Sequence, residues 1–120
     1  MGRRVGVTGG RSNYDYIHIH RVLKEILEPG DILVHGGASG VDSVSAQTAV
    51  YLGNAVEQHK ANWAKHGKSA GGLRNQKMVD TGPDFVVQFA GGTGTADMVK
   101  RCKAAGVRVI HADVTTGETQ

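Results

Sequence analysis

A single cysteine, Cys102, excludes an internal disulfide. The chain shows no signal peptide and no apolar run near the roughly 18 residues that a membrane span needs, so a cytoplasmic protein without a membrane partner is expected. Like charges never gather into a block, and the formal net charge is only +3. That balance suits small anionic ligands at least as well as nucleic acid. Aromatic residues make up 5% of the chain, too few for extended base stacking. The histidines form no metal box: His18 and His20 lie two apart, a spacing that cannot share a helix face. No metal and no cofactor are expected. No glycine loop is followed by the Lys-Ser or Lys-Thr of a P-loop, and none reads G-x-G-x-x-G with an acid about 20 residues on. ATP hydrolysis and dinucleotide redox chemistry lose their usual support.

What the chain has in plenty is glycine, 18 in 120 residues, about twice the average usage. The glycines cluster where apolar runs end, which reads as turn chemistry. Phe85-Val86-Val87-Gln88-Phe89 is a strand-like run, Ala90-Gly91-Gly92-Thr93-Gly94 a glycine loop, and Thr95-Ala96-Asp97-Met98 the start of a helix. Val7-Thr8-Gly9-Gly10-Arg11 and Val34-His35-Gly36-Gly37-Ala38-Ser39-Gly40-Val41-Asp42 repeat this order of strand, turn and helix. In each, backbone N–H groups and a helix N-terminus make a seat for an anion, most often a phosphate.

Taken in order, residues 3–8 form a first strand, and Ser12, Asn13 and Asp15 are capping candidates for a helix. Its buried face is Ile19, Val22, Leu23, Ile26 and Leu27, and Glu28-Pro29-Gly30 stops it. A strand over 31–35 precedes a helix with Val41, Val44, Ser45, Thr48 and Leu52 on one side, closed by Gly53. Residues 54–59 make a weaker strand with two apolar residues. Residues 61–72 read as a long polar connection bearing Trp63, His66 and Lys68, of the kind that is more often functional than idle. A helix through Leu73, Arg74 and Met78, the strand 85–89, the helix 95–105 and a fifth strand 107–111 complete the pattern. The fold class is α/β: one domain over 1–113, with a mostly parallel five-stranded sheet and helices on both faces, and a fraying polar tail over 114–120. Ligands of such sheets sit at the carboxyl ends of the strands, where all three glycine loops fall.

The ligand-binding candidates are therefore Gly9, Gly10, Arg11, Gly36, Gly37, Ser39, Gly40, Asp42, Arg74, Asn75, Gly91, Gly92, Thr93, Gly94 and Thr95. Arg74 is the first charged residue among them, since its guanidinium grips a phosphate in a fork that lysine does not reproduce. Thr93 and Thr95 offer hydroxyls, with an N-cap role as the alternative for Thr95. Asp42 and Asp97 fall in helical first turns, where the dipole stabilises a carboxylate. Asp97 also precedes Arg101 at the spacing of a surface ion pair. Facing the site instead, either acid would hydrogen-bond ribose hydroxyls. Cys102 falls on the apolar side of its helix and reads as core.

Together these three loops and the stretch from Trp63 to Arg74-Asn75 resemble, over nearly the whole chain and in order, the YspA-like branch of the SLOG superfamily. The resemblance implies a Rossmann-like fold that binds nucleotides or nucleotide-derived molecules, in this branch ligands related to ADP-ribose. It also implies a homodimer through an exposed helix face. The superfamily includes the "lonely guy" phosphoribohydrolases and the single-strand binder DprA, so two alternatives follow. One is N-glycosidic cleavage of a nucleoside monophosphate, with Arg74 on the 5′-phosphate and Asp97 as the catalytic carboxylate that stabilises an oxocarbenium-like transition state. The other is binding of single-stranded DNA, favoured by the positive charge and Trp63. The phosphoribohydrolases carry Pro-Gly-Gly-x-Gly-Thr-x-x-Glu, where this chain has Ala90 for the proline and Met98 for the glutamate. A shift of one residue turns a helical side chain by about 100°, so Asp97 does not simply replace that glutamate. Binding is the favoured expectation.

Overall fold

The computed structural model describes residues 2–112. The tail expected to fray, 114–120, lies outside them. Five strands, β1 (Arg4–Thr8), β2 (Ile32–His35), β3 (Ala55–Gln58), β4 (Phe85–Gln88) and β5 (Arg108–His111), form one sheet in the order β3-β2-β1-β4-β5, and every pairing is parallel. The first crossovers run outward through α1 (Tyr16–Ile26) and α2 (Val41–Tyr51), and the chain then returns to the other side of β1 through α3 (Trp63–His66), a 3-10 turn (Gly67–Ser69) and α4 (Ala70–Asp80). The last crossover is α5 (Thr93–Ala105).

Alternation along the strands divides the core into two. Val5, Val7, Leu33, Phe85 and Val87 meet Ile19 and Leu23 of α1 and Val41, Val44 and Ala49 of α2. Val34 and Val86 point the other way, onto Met78 and Val79 of α4 and Met98 and Cys102 of α5. Two covered faces require apolar residues at almost every position of the central strands, which is why β4 is apolar from Phe85 to Val87. β3 and β5 are the edges, half-buried and half-exposed. The weak apolar signal of β3 has that cause.

The first capping expectation holds at Asp15, whose side chain accepts from the His18 N–H and starts α1. Two element boundaries differ from the sequence pattern. Residues 61–72 are not one loop: Asn62 caps α3, and Gly71 and Gly72 lie inside the first turn of α4, so Arg74 sits one turn into the helix. α5 begins at Thr93 with Gly92 as its N-cap, which leaves Thr95 buried within the helix and not a cap, and puts Asp97 beyond the first turn expected for it. Among the described residues no helix is long and apolar enough to cross a membrane.

Candidate functional site

Strand order places β1 between chain segments that leave in opposite directions, and the crevice of such a sheet opens where that reversal occurs. Here the three glycine loops are tied to one another by backbone. The Gly10 N–H donates to the Ala90 carbonyl at 2.9 Å, joining the β1 and β4 loops. Gly10 in turn accepts from the Val41 N–H at 3.1 Å, and the Ser39 hydroxyl donates to the Arg11 carbonyl at 3.0 Å, joining β1 to the β2 loop.

Beside these loops lies a cleft of about 930 Å³, walled by the β1 loop, the start of α2, the residues from Trp63 to Asn75, and the start of α5. The first turn of α5 forms one wall. No side chain caps the helix, and nothing lies within 4 Å of the position a Cβ would take on Gly92 or Gly94. The first N–H groups of a helix have no partners within it, so this turn offers donors and partial positive charge to the cleft. Arg11, Lys68, Arg74 and Arg101 also line it, against two acids, Asp42 and Asp97.

Both acids are engaged. Asp42, buried at the start of α2, accepts from the Gly36 N–H at 3.1 Å and the Ala38 N–H at 3.2 Å, so it braces its own loop. Burial pushes its carboxyl up, opposed by the Ala38 amide, His35, Arg74 and the Gly36 amide. Asp97 accepts from Arg101 Nε at 2.8 Å and from Asn75 Nδ2 at 2.9 Å. Burial would raise its carboxyl, but those two hydrogen bonds and the charges of Arg101 and Lys100 outweigh it and the net shift is downward. His35, at the end of β2, accepts the Gly37 N–H on Nδ1, which leaves the proton on Nε2. Burial holds its imidazole below the ordinary range.

Arg74 is half-buried and its partners are neutral. Nη1 donates to the Gly36 carbonyl and Nε donates to Asn75 Oδ1 at 3.0 Å. Asn75 is itself buried and donates to the Gly94 carbonyl at 3.2 Å as well as to Asp97. One chain of hydrogen bonds thus runs from the β2 loop through Arg74 and Asn75 to the first turn of α5. Burial lowers the guanidinium from its ordinary value, Asp42 opposes that, and Arg11 adds to it. An arginine stays charged throughout the ordinary pH range.

Of the sequence candidates, Gly9, Gly10, Arg11, Gly36, Asp42, Arg74, Asn75, Gly92, Thr93, Gly94, Thr95 and Asp97 line the cleft. Gly37, Ser39, Gly40 and Gly91 do not. Gly37 lies against Gln58 of the edge strand, and Ser39 ties two loops together. Gly40 has a φ of 73°, and a Cβ there would come within 2.2 Å of the Gly10 carbonyl oxygen. A Cβ on Gly91 would overlap Thr95 Oγ1 at 2.1 Å. These residues shape the loops that the others present. Gly36 does both, because a Cβ on it would fall 2.4 Å from Arg74 Nη1. Sequence reasoning passed over Lys68, Ser69, Leu73, Met78, Met98 and Arg101 as lining residues. The polar stretch of 61–72 signalled the first two; the remainder needed helix phase. Met98 of α5 is buried against α4 and lines the cleft, so an apolar thioether, not a carboxylate, stands at this position.

Fold and cleft together define a single-domain Rossmann-like protein, and the solved structure of TM1055, a structural-genomics target, has the same fold. It superposes with a TM-score of 0.73 at 20% identity, covering 98% of this chain and 78% of that one. The chain belongs to the family of the Gene 61 protein of Mycobacterium phage D29, to which it is 35% identical over 119 residues, spanning 91% of this chain and 95% of that protein. No family model matches it.

Proposed function

We propose that this protein binds a nucleotide or nucleotide-derived ligand, its phosphate seated on the first turn of α5 and gripped by Arg74. The observation that carries this reading is the uncapped turn of Gly92, Thr93 and Gly94, open on the cleft side and linked through Asn75 to an arginine with neutral partners. Arg11 and Lys68 line the same cleft, and neither is ion-paired among the described residues. A helix N-terminus with converging cations is a favourable place for a dianion. The volume exceeds what a bare phosphate needs and suits a nucleoside mono- or diphosphate. The sequence resemblance to SLOG proteins of the YspA-like branch points to the same ligand class, ADP-ribose included.

Binding is favoured over N-glycosidic hydrolysis. Asp97, the acid nearest the glycine loop in sequence, is ion-paired to Arg101 and hydrogen-bonded to Asn75, and Met98 supplies no carboxylate. Calorimetry with AMP, ADP-ribose and NAD tests the reading: binding by at least one of them is expected, and silence from all three would sink it. Chromatography after incubation with AMP is expected to show no free adenine.

A further inference from the structure

Trp63 is an unusual residue for a polar cleft. It lines the wall, about half of its surface is exposed, and it stands on the four-residue helix α3, which contributes no buried side chain. Its position is nevertheless built. Its ring edge rests on α4 at Gly71, where a Cβ would approach Trp63 Cη2 to 3.3 Å, closer than most side chains tolerate. Glycine inside a helix is unfavourable relative to alanine, and here it leaves a flat bed for the indole. The ring also carries a cation. The Arg11 guanidinium lies 5.1 Å from its centroid, so a contact between the β1 loop and α3 spans part of the cleft rim.

We propose that Trp63 and Arg11 are the seat for the planar base of the ligand, which resolves the ligand class to base-bearing nucleotides; this rests on the phosphate-binding reading above. An indole face and a guanidinium plane are both surfaces on which nucleobases stack. Interleaving a base between them needs a spacing of about 7 Å, two van der Waals contacts of roughly 3.5 Å. Arg11 is exposed, so its side chain is free to swing outward by the missing distance. Trp63 stays on its bed at Gly71. The base thereby replaces Arg11 as the partner of the indole, and Arg11 covers the base from the solvent side.

Trp63 is the one tryptophan of the chain, so intrinsic fluorescence reports this ring alone. The wild-type protein is titrated with AMP, with ADP-ribose, and with ribose 5-phosphate, which keeps the phosphate and sugar and lacks the base. At least one base-bearing ligand is expected to change the fluorescence and to bind about tenfold or more tightly than ribose 5-phosphate. By calorimetry, Trp63→Ala should abolish that preference, and Trp63→Phe should keep most of it. Equal binding of all three by the wild type, or a base preference that survives Trp63→Ala, overturns the assignment and leaves the phosphate site standing. Failure of every compound to bind overturns both readings. The wild-type comparison needs no variant to fold.

Discussion

Arg74 holds two neutral acceptors, the Gly36 carbonyl and Asn75 Oδ1, while its charge is unmatched by a direct carboxylate partner among the described residues. If it grips the phosphate, Arg74→Ala should weaken AMP or ADP-ribose at least tenfold by calorimetry. Arg74→Lys should recover little, because a point charge cannot hold Gly36, Asn75 and a phosphate at once. Asp31 is a different kind of charged residue. Its carboxylate accepts from the backbone N–H, Nε and Nη2 of Arg3 and from the Glu28 N–H, clasping the entrance of β1 to the turn before β2. The Arg3 hydrogen bond, against the opposing effect of burial and with help from the Glu28 and Arg3 amides, lowers its pKa from 3.8 to about 2. A pKa lower in the folded state means that the clasp stabilises the fold fully above the unfolded value and loses this contribution as pH falls through the folded one. Urea midpoints should therefore drop between pH 4 and pH 2. Asp31→Asn should flatten part of that slope and cost about 2 to 3 kcal/mol at neutral pH.

Among the elements, α5 carries the sharpest division between stability and binding. Gly94 has no atom within 4 Å of its missing Cβ, so Gly94→Ala meets no protein. Alanine is the better helix residue, and thermal stability should hold or rise by up to about 1 kcal/mol. A methyl group added to this cleft-lining turn should meanwhile reduce ligand affinity. Undiminished affinity in the alanine variant would take the phosphate off this turn. Gly36→Ala should lower affinity by another route, because its Cβ would displace the Arg74 guanidinium. The strands were legible for a related reason. β1, β2 and β4 are covered on both faces and show it in composition, whereas β3 at the edge needs only a half-apolar sequence. Residues 61–72 misled because Gly71 and Gly72 read as loop punctuation. Both are helical, and their lack of a side chain leaves room for Trp63 and Arg101, which close onto the first turn of α4.

At the scale of the whole molecule, a ligand that binds only the folded chain must raise its melting temperature. At a concentration of 100 Kd the gain is about 2.7 kcal/mol, which for a domain of this size corresponds to a shift of roughly 10 °C. Differential scanning fluorimetry with AMP, ADP-ribose and inorganic phosphate should show that shift for at least one nucleotide and a smaller one for phosphate alone. Nucleotides that leave the melting point unmoved at millimolar concentration would count against the proposed function. The sequence by itself determined the alternation of strands and helices, and hence a parallel sheet with three glycine turns on one edge, because burial periodicity and turn chemistry are local properties of the chain. Strand order, which puts β1 beside β4 and brings residues far apart in sequence into one cleft, was decided only in three dimensions. So was the sorting of the glycines and acids. Gly92 and Gly94 face open space while Gly40 and Gly91 lie against backbone or a neighbouring side chain, and Asp97 turns to Asn75 and Arg101. Such distinctions depend on which atoms lie opposite a residue across the fold, and local sequence does not encode its distant neighbours.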